Sequence, residues 1–264
     1  HSDAICLQRE LVDVLRQGKG VLQRDELLVK EQGILTMLYF NQREFEEAER
    51  SFNRLRMLKV SSQYLEEQKV KEVIGRGVHI AISNGSPSLG ESVVSFLDEN
   101  RNIFTAKRLA MLDFYSAQIL IIHGHYKEAV KRMSNVLGMR RQDLGDRLWI
   151  YIILHLVAHY DLENYDYLES KRKSINQIVS KRGMKYPKLA CDALYKMIQP
   201  RSNYQAIHEE FTRSLKEITK DRDEWFVANF WDMATWIEAK ATSLRLSQCV
   251  QSKYQEHLRT NLRS

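Results

Sequence analysis

The sequence predicts an all-α fold of stacked helical hairpins, and three observations carry that prediction. An aromatic residue recurs as Phe45, Tyr126, Tyr165 and Tyr204 at steps of 81, 39 and 39 residues, the first being close to two steps of 40. Even spacing in that range marks repeat proteins in which each hairpin is too small to bury its own apolar face and leans on its neighbours. Only three prolines and eleven glycines interrupt 264 residues, and no run of alternating apolar residues signals a strand. Finally, each aromatic opens a stretch with the same amphipathic pattern.

Those stretches read FEEAERSFNRL from Phe45, YKEAVKRMSNVL from Tyr126, YDYLESKRKSI from Tyr165 and YQAIHEEFTRSL from Tyr204. Three positions after the aromatic stands a small or aliphatic residue: Ala48, Ala129, Leu168 or Ile207. Seven positions after it stands Phe52, Met133 or Phe211, but the third stretch has Arg172 instead. Offsets of zero, three and seven share one helical stripe, so these are outer helices with a charged face. Before each comes a polar turn, as in Asn41-Gln42-Arg43, His123-Gly124-His125 and Leu162-Glu163-Asn164, and before the turn a more apolar helix. Leu109 to Ile122 and Leu148 to Tyr160 are apolar on nearly every side, as expected of an inner layer. Between Phe45 and Tyr126 a further hairpin fits: Tyr64 to Ser83 as inner helix, Asn84-Gly85-Ser86-Pro87 as turn, Gly90 to Asn100 as outer helix. The count becomes five hairpins, with turns near residues 42, 86, 124, 163 and 202. After them Leu246, Cys249, Val250, Tyr254 and Leu258 form a stripe on a helix that caps the array.

The YKEA segment behind Gly124, the FEEA segment at Phe45, and Ala48 and Ala129 resemble the second half of tetratricopeptide repeats, where the small residue lets the two helices of a hairpin approach closely. The family's period is about 34, whereas this chain runs nearer 40, lacks the repeat-terminal proline, and lacks the alanine in the third and last of these stretches. The resemblance is to a degenerate, tetratricopeptide-like array, and it implies a right-handed superhelix whose concave face binds a protein or peptide. On this reading residues 1–264 form a single repeat domain with a C-terminal capping helix pair.

Composition narrows the setting. Leu148 to Val157, the longest apolar stretch, is broken by His155 and is too short for the roughly 20 residues of a membrane span. Cys6, Cys191 and Cys249 are odd in number, far apart and without a CxxC pair, which fits a reducing cytoplasm rather than a disulfide framework or zinc ribbon. A start at His1-Ser2, with neither methionine nor leader, suggests a fragment of a longer protein.

Candidate sites are surfaces rather than motifs. Polar and aromatic positions of the inner helices, Tyr39, Tyr115, Tyr151, His155 and Tyr195, are the expected partner groove. From Lys171 through Cys191 there is no acid, and Lys171, Arg172, Lys173, Lys181, Arg182, Lys185 and Lys188 supply seven positive charges. Such a run attracts phosphate or an acidic peptide; a solvated outer face explains it without a ligand. No nucleic-acid-binding motif accompanies it, so a protein partner stands ahead of nucleic acid. His155 and His159, four apart, share a helix face on which Asp161 or His123 is a conceivable third metal ligand, but HxxxH lacks the glutamate of HExxH and no cofactor is expected. Trp225, Trp231 and Trp236 are read on one helix, either as core or as the surface of a homodimer. Gly18-Lys19-Gly20 lacks the spacing of a phosphate loop, and Gly75-Arg76-Gly77 fits close helix packing better. No catalytic motif is present, so an enzyme is not expected.

Overall fold

The computed structural model describes residues 2–18, 24–42, 44–139, 148–183, 185–229 and 231–261. Among them fourteen α-helices and one short 3-10 turn carry the chain, and no strand forms. No helix among the described residues is long and apolar enough to cross a membrane. Where the sequence reading runs one domain through 1–264, the fold divides into two compact units, residues 1–105 with 251–264, and residues 106–250. The chain leaves the first unit through the 3-10 turn Arg101–Ile103 and an extended Phe104, which together end helical continuity.

The first unit holds α1 (Ser2–Gln17), α2 (Arg24–Asn41), α3 (Phe45–Arg56), α4 (Gln63–Asn84) and α5 (Pro87–Glu99). Each packs on the next, and α2 also packs on α4. Local chemistry sets the ends of α4: the Ser62 hydroxyl accepts from the Leu65 amide at 3.3 Å, and Gly85 closes the helix at φ 61°. Gly77 lies where α4 meets α3 and α5, because a Cβ there would fall 2.8 Å from a Val93 methyl and 3.0 Å from the Phe52 ring. A buried polar knot ties α2 to α3: the Gln32 amide donates to Ser51 Oγ at 2.6 Å, and Thr36 and Ser51 share a bond of 2.9 Å. Paired in this way, these groups avoid the cost of burial without a partner.

The second unit holds α6 (Ala106–Ile122), α7 (Tyr126–Leu137), α8 (Leu148–Asp161), α9 (Tyr165–Arg182), α10 (Lys185–Met197), α11 (Tyr204–Ile218), α12 (Arg222–Ala228) and α13 (Met233–Thr242). The last helix, α14 (Leu246–Asn261), begins among its residues. On α14, Leu246 and Cys249 are buried while Val250 and Tyr254 are half-buried; the side chain of Leu258 lies outside the described residues. Both apolar helices, α6 and α8, are buried on nearly every side.

Helices end and restart at all five expected turns. Three of those turns share one backbone form. Glu44, His125 and Asn164 have φ, ψ of −82°, 65°, of −85°, 55° and of −80°, 57°. Their amides donate to the carbonyls of Tyr39, Leu120 and His159 at 2.9, 2.8 and 3.0 Å. Their own carbonyls accept from Ala48, Ala129 and Leu168, and all three side chains there are fully buried. The backbone thus repeats with the sequence period. Left-handed residues precede two of these turns, Gly124 at φ 83° and Glu163 at φ 59°; Arg43, at the corresponding place, lies outside the described residues.

Candidate functional site

The residue seven positions after the aromatic sets one outer helix apart from the others. Phe52, Met133 and Phe211 occupy that position as fully buried core. In α9 the same place holds Arg172, whose long charged stem cannot be buried without a partner. Its guanidinium lies over the Tyr195 ring, 5.1 Å from the centroid, and 3.7 Å from Glu169. An open cleft of about 270 Å³ lies beside it, lined by residues of α10 and α11 and by Arg172 of α9. Of its apolar lining Leu189 is half-buried while Ala193, Ile207 and Phe211 are buried, and Lys196 pairs with Glu210 with both N–O distances at 2.7 Å. Asp192 adds a carboxylate.

Of the basic segment, Arg172 lines this cleft. Lys171, Arg172 and Lys173 are exposed on α9, as are Lys185 and Lys188 on α10; the side chains of Lys181 and Arg182 lie outside the described residues. Spacing puts Lys185, Lys188, Asp192 and Lys196 on one face of α10. The segment is not wholly uncompensated, because α12 brings Glu224 to the start of α10. Its buried carboxylate accepts the backbone amides of Lys185 at 2.6 Å and Tyr186 at 2.8 Å, which satisfies orphan donors at a helix N-terminus. Lys171, Lys173, Lys185 and Lys188 form no ion pair among the described residues.

A second cluster joins α7, α8 and α9. His155 Nε2 lies 3.2 Å from Ser134 Oγ, and its Nδ1 lies 3.5 Å from the Tyr167 hydroxyl. The His159 ring stacks on Tyr167 at 4.0 Å and meets His155 edge-on at 4.5 Å, while its Nδ1 pairs with the Asn164 amide at 3.1 Å. Lys171 Nζ sits 5.5 Å above the other partner in this stack, Tyr167. Burial pushes His155 down to about 4, helped by His159 and Lys171, and burial also lowers His159. Both ring nitrogens of His155 are engaged by hydroxyls. Among the described residues no group of three His, Cys, Asp or Glu side chains is placed to hold a metal ion. Asp161 is committed elsewhere, accepting from Trp236 Nε1 at 2.9 Å and pairing with Lys240. The arrangement is a neutral hydrogen-bonded core cluster.

Of the five expected groove residues, four are core. Tyr39 is 3 %, Tyr151 5 %, His155 7 % and Tyr195 3 % exposed, so a partner cannot reach them as an open face. Their polar ends are also occupied, Tyr39 by Arg9 at 2.7 Å and Tyr195 by the Leu168 carbonyl at 3.4 Å. Tyr115 is half-buried beside Phe114. Tyr39 belongs to the first unit and the other four to the second. Only Tyr195 borders the cleft, where it carries Arg172 of the basic segment.

The tryptophans require a correction. Trp225, Trp231 and Trp236 do not share a helix: α12 ends at Ala228 and α13 begins at Met233. Asp232 makes the break, its carboxylate accepting from the Thr235 amide at 2.9 Å as an N-cap. Trp236 is fully buried and Trp231 nearly so, leaving Trp225 of α12 as the exposed one. The three tryptophans are thus divided between α12, the segment after it and α13, and do not form one face of a single helix.

Comparison of the sequence with protein-family models, with curated proteins and with solved structures gave no match.

Proposed function

We propose that this protein is a noncatalytic binding scaffold, about five antiparallel helical hairpins in a right-handed, tetratricopeptide-like superhelix that receives a peptide segment of a partner protein. The repeat part of this reading is supported by the shared turn geometry at Glu44, His125 and Asn164 and by the fully buried Ala48, Ala129 and Leu168 that follow. The binding part is carried by one observation, the cleft over α10 that Arg172 borders at the position where the pattern elsewhere has an apolar residue. Its lining mixes the polar groups of Arg172, Asp192, Lys196, Gln199 and Glu210 with apolar side chains, and convergent polar groups beside apolar ones are what orients a ligand in a pocket. The concave-face tyrosines are spent on core packing, so the binding surface moves to the cleft. Three widely spaced cysteines are the ground for placing the protein in the reducing cytoplasm. Polyanion binding through residues 171–188 is a second reading, favoured by the four exposed lysines without a carboxylate partner among the described residues.

Selection of a random peptide library on the purified chain, followed by fluorescence anisotropy of the enriched peptides, tests the reading. Gln199 is exposed and lines the cleft, so Gln199→Trp plugs it without touching the core. We expect enriched peptides to lose at least about tenfold in affinity, about 1.4 kcal/mol, in that variant. Absence of any enriched peptide, or indifference of all of them to the plug, overturns it.

A further inference from the structure

We propose that two copies of this chain pair through the outward side of α1 and α2, with Leu7, Leu11 and Val14 of each at the centre and Glu10 of each against Lys30 of the other. Both helices belong to the first unit, so the inference is independent of the cleft and of the peptide reading.

A surface helix needs one apolar stripe to join its neighbour, and α1 has two. Ile5, Val12 and Leu15 are buried where α1 packs on α2. Ala4, Leu7, Leu11 and Val14 recur at steps of three, four and three residues, the spacing of a seam between helices, and all four are exposed. Leu27 on α2 is exposed as well. Four of the nine large apolar side chains that stand exposed among the described residues therefore fall on this one hairpin, a concentration rather than the single scattered residues of an ordinary surface. Within a stack of hairpins such a face meets the face of another hairpin, and a second copy supplies one.

The area suits a dimer. Leu7 is 67 %, Leu11 44 %, Val14 66 % and Leu27 38 % exposed, which with Ala4 leaves roughly 400 Å² of apolar surface on each copy. Two such faces bury roughly 800 Å² of apolar surface, and at about 65 % apolar character a homodimer interface of that content reaches about 1,200 Å² in all, the lower end for a stable complex.

Charge settles how the copies are related. Gln8 donates to the Glu31 carbonyl at 3.1 Å and to its carboxylate at 2.7 Å, while Arg24 donates to the Leu15 carbonyl, so α1 and α2 run antiparallel and Glu10 stands about level with Lys30. Spacing sets these two exposed residues on the outer flanks of the face, Glu10 beside the stripe of α1 and Lys30 beside Leu27. A two-fold axis along the helices lays each α1 over the other copy's α2 without changing level, and so brings each Glu10 to a Lys30. A lipid surface fits less well, because a helix lying on a membrane carries lysine and arginine beside its apolar stripe, where α1 has the exposed Asp3 and Glu10.

Sedimentation equilibrium of the full chain at physiological salt, from about 1 to about 100 μM, tests the proposal. We expect a monomer–dimer equilibrium that Leu7→Lys with Val14→Lys weakens at least about tenfold. Circular dichroism checks that variant, and Leu7→Ser with Val14→Ser replaces it should the lysines unfold the chain. Glu10→Lys alone should weaken the dimer about threefold, and adding Lys30→Glu should recover it. Gln199→Trp, in the cleft of the second unit, should leave it unchanged. A monomer throughout the range, or a dimer indifferent to both stripe variants, overturns the proposal; a Glu10→Lys loss that Lys30→Glu does not recover overturns the pairing of the two charges. Binding of the monomer to phosphatidylcholine vesicles, abolished by the stripe variants, overturns it in favour of a lipid surface.

Discussion

Replacing Gly77 by alanine measures directly how closely the helices of a hairpin approach. In the interior of a helix, alanine is favoured over glycine by about 1 kcal/mol, so a glycine with open space beside it should be improved by the change. Gly77 has no such space. The added carbon would sit 2.8 Å from Val93 Cγ2 and 3.0 Å from the Phe52 ring. Neither neighbour swings away, since Val93 is stiff at χ1 and both are buried, Phe52 to 1 % exposure. Overpacking of this kind costs about 1–3 kcal/mol, which outweighs the gain in helix propensity. The expected net loss is about 1 kcal/mol, or a fall of about 2–4 °C in Tm for a chain of this length. Val93→Ala alone should cost about 2 kcal/mol for the lost methyl groups and the cavity. In the double variant the new carbon enters the space that Val93 vacates, so the pair should be about 1 kcal/mol less damaging than the sum. Urea unfolding of the four proteins gives the cycle. Gly138→Ala at the end of α7 is the control, because a carbon there meets only carbonyl oxygens at 3.4 Å. A Gly77→Ala protein with a raised urea midpoint, or a cycle without coupling, would show that α4 does not touch α3 and α5 at this place.

Two further outcomes follow from the turns and the histidines. Glu163 holds a left-handed backbone at φ 59° where the preceding repeat has Gly124 at φ 83°, so Glu163→Gly should stabilise by about 0.5–1 kcal/mol, since the relief of a strained backbone exceeds the entropy added to the unfolded chain. Gly124→Ala should destabilise by about 1 kcal/mol, and equal urea midpoints for both variants and the parent would contradict the shared turn. His155 stays neutral in the fold because burial lowers it to about 4, whereas the unfolded chain takes up a proton near its ordinary 6.5. Stability is therefore full above about 6.5 and is lost as the pH falls towards 4, with a slope of up to about 1.4 kcal/mol per pH unit. His155→Gln keeps a polar side chain beside Ser134 and Tyr167 and should flatten the acid limb of unfolding midpoint against pH; an unchanged limb would assign that loss to other groups.

Which parts of this architecture could be read from residues alone follows from where the decisive interactions lie. Turns and the burial three positions after the aromatic are local, set by periodicity and by backbone angles within a few residues, so Ala48, Ala129, Leu168 and the five turn positions were legible. Asp232 was a helix start signal that the density of tryptophans obscured: an acid three residues before Thr235 splits α12 from α13. Division into two units was not legible, since it depends on which helices meet and not on any single boundary residue. The tyrosines were misplaced for a related reason. An amphipathic side chain on an inner helix reads the same whether its hydroxyl faces water or a carbonyl, and Tyr195 finds the carbonyl of Leu168 from a neighbouring hairpin.

The proposed site shows in the sequence as a flaw in the pattern. Three outer helices carry Phe52, Met133 and Phe211 at one position, and burying each of these side chains is worth about 1.5–3 kcal/mol. A chain selected only for a closed core would keep an apolar residue in the fourth; α9 instead has Arg172, at the head of a stretch that runs to Cys191 without an acid. Each departure from the pattern is unremarkable singly. Together they occupy the same few turns of α9 and α10, where Arg172 borders the cleft, and that coincidence, rather than either feature, is the reason to look for the partner there.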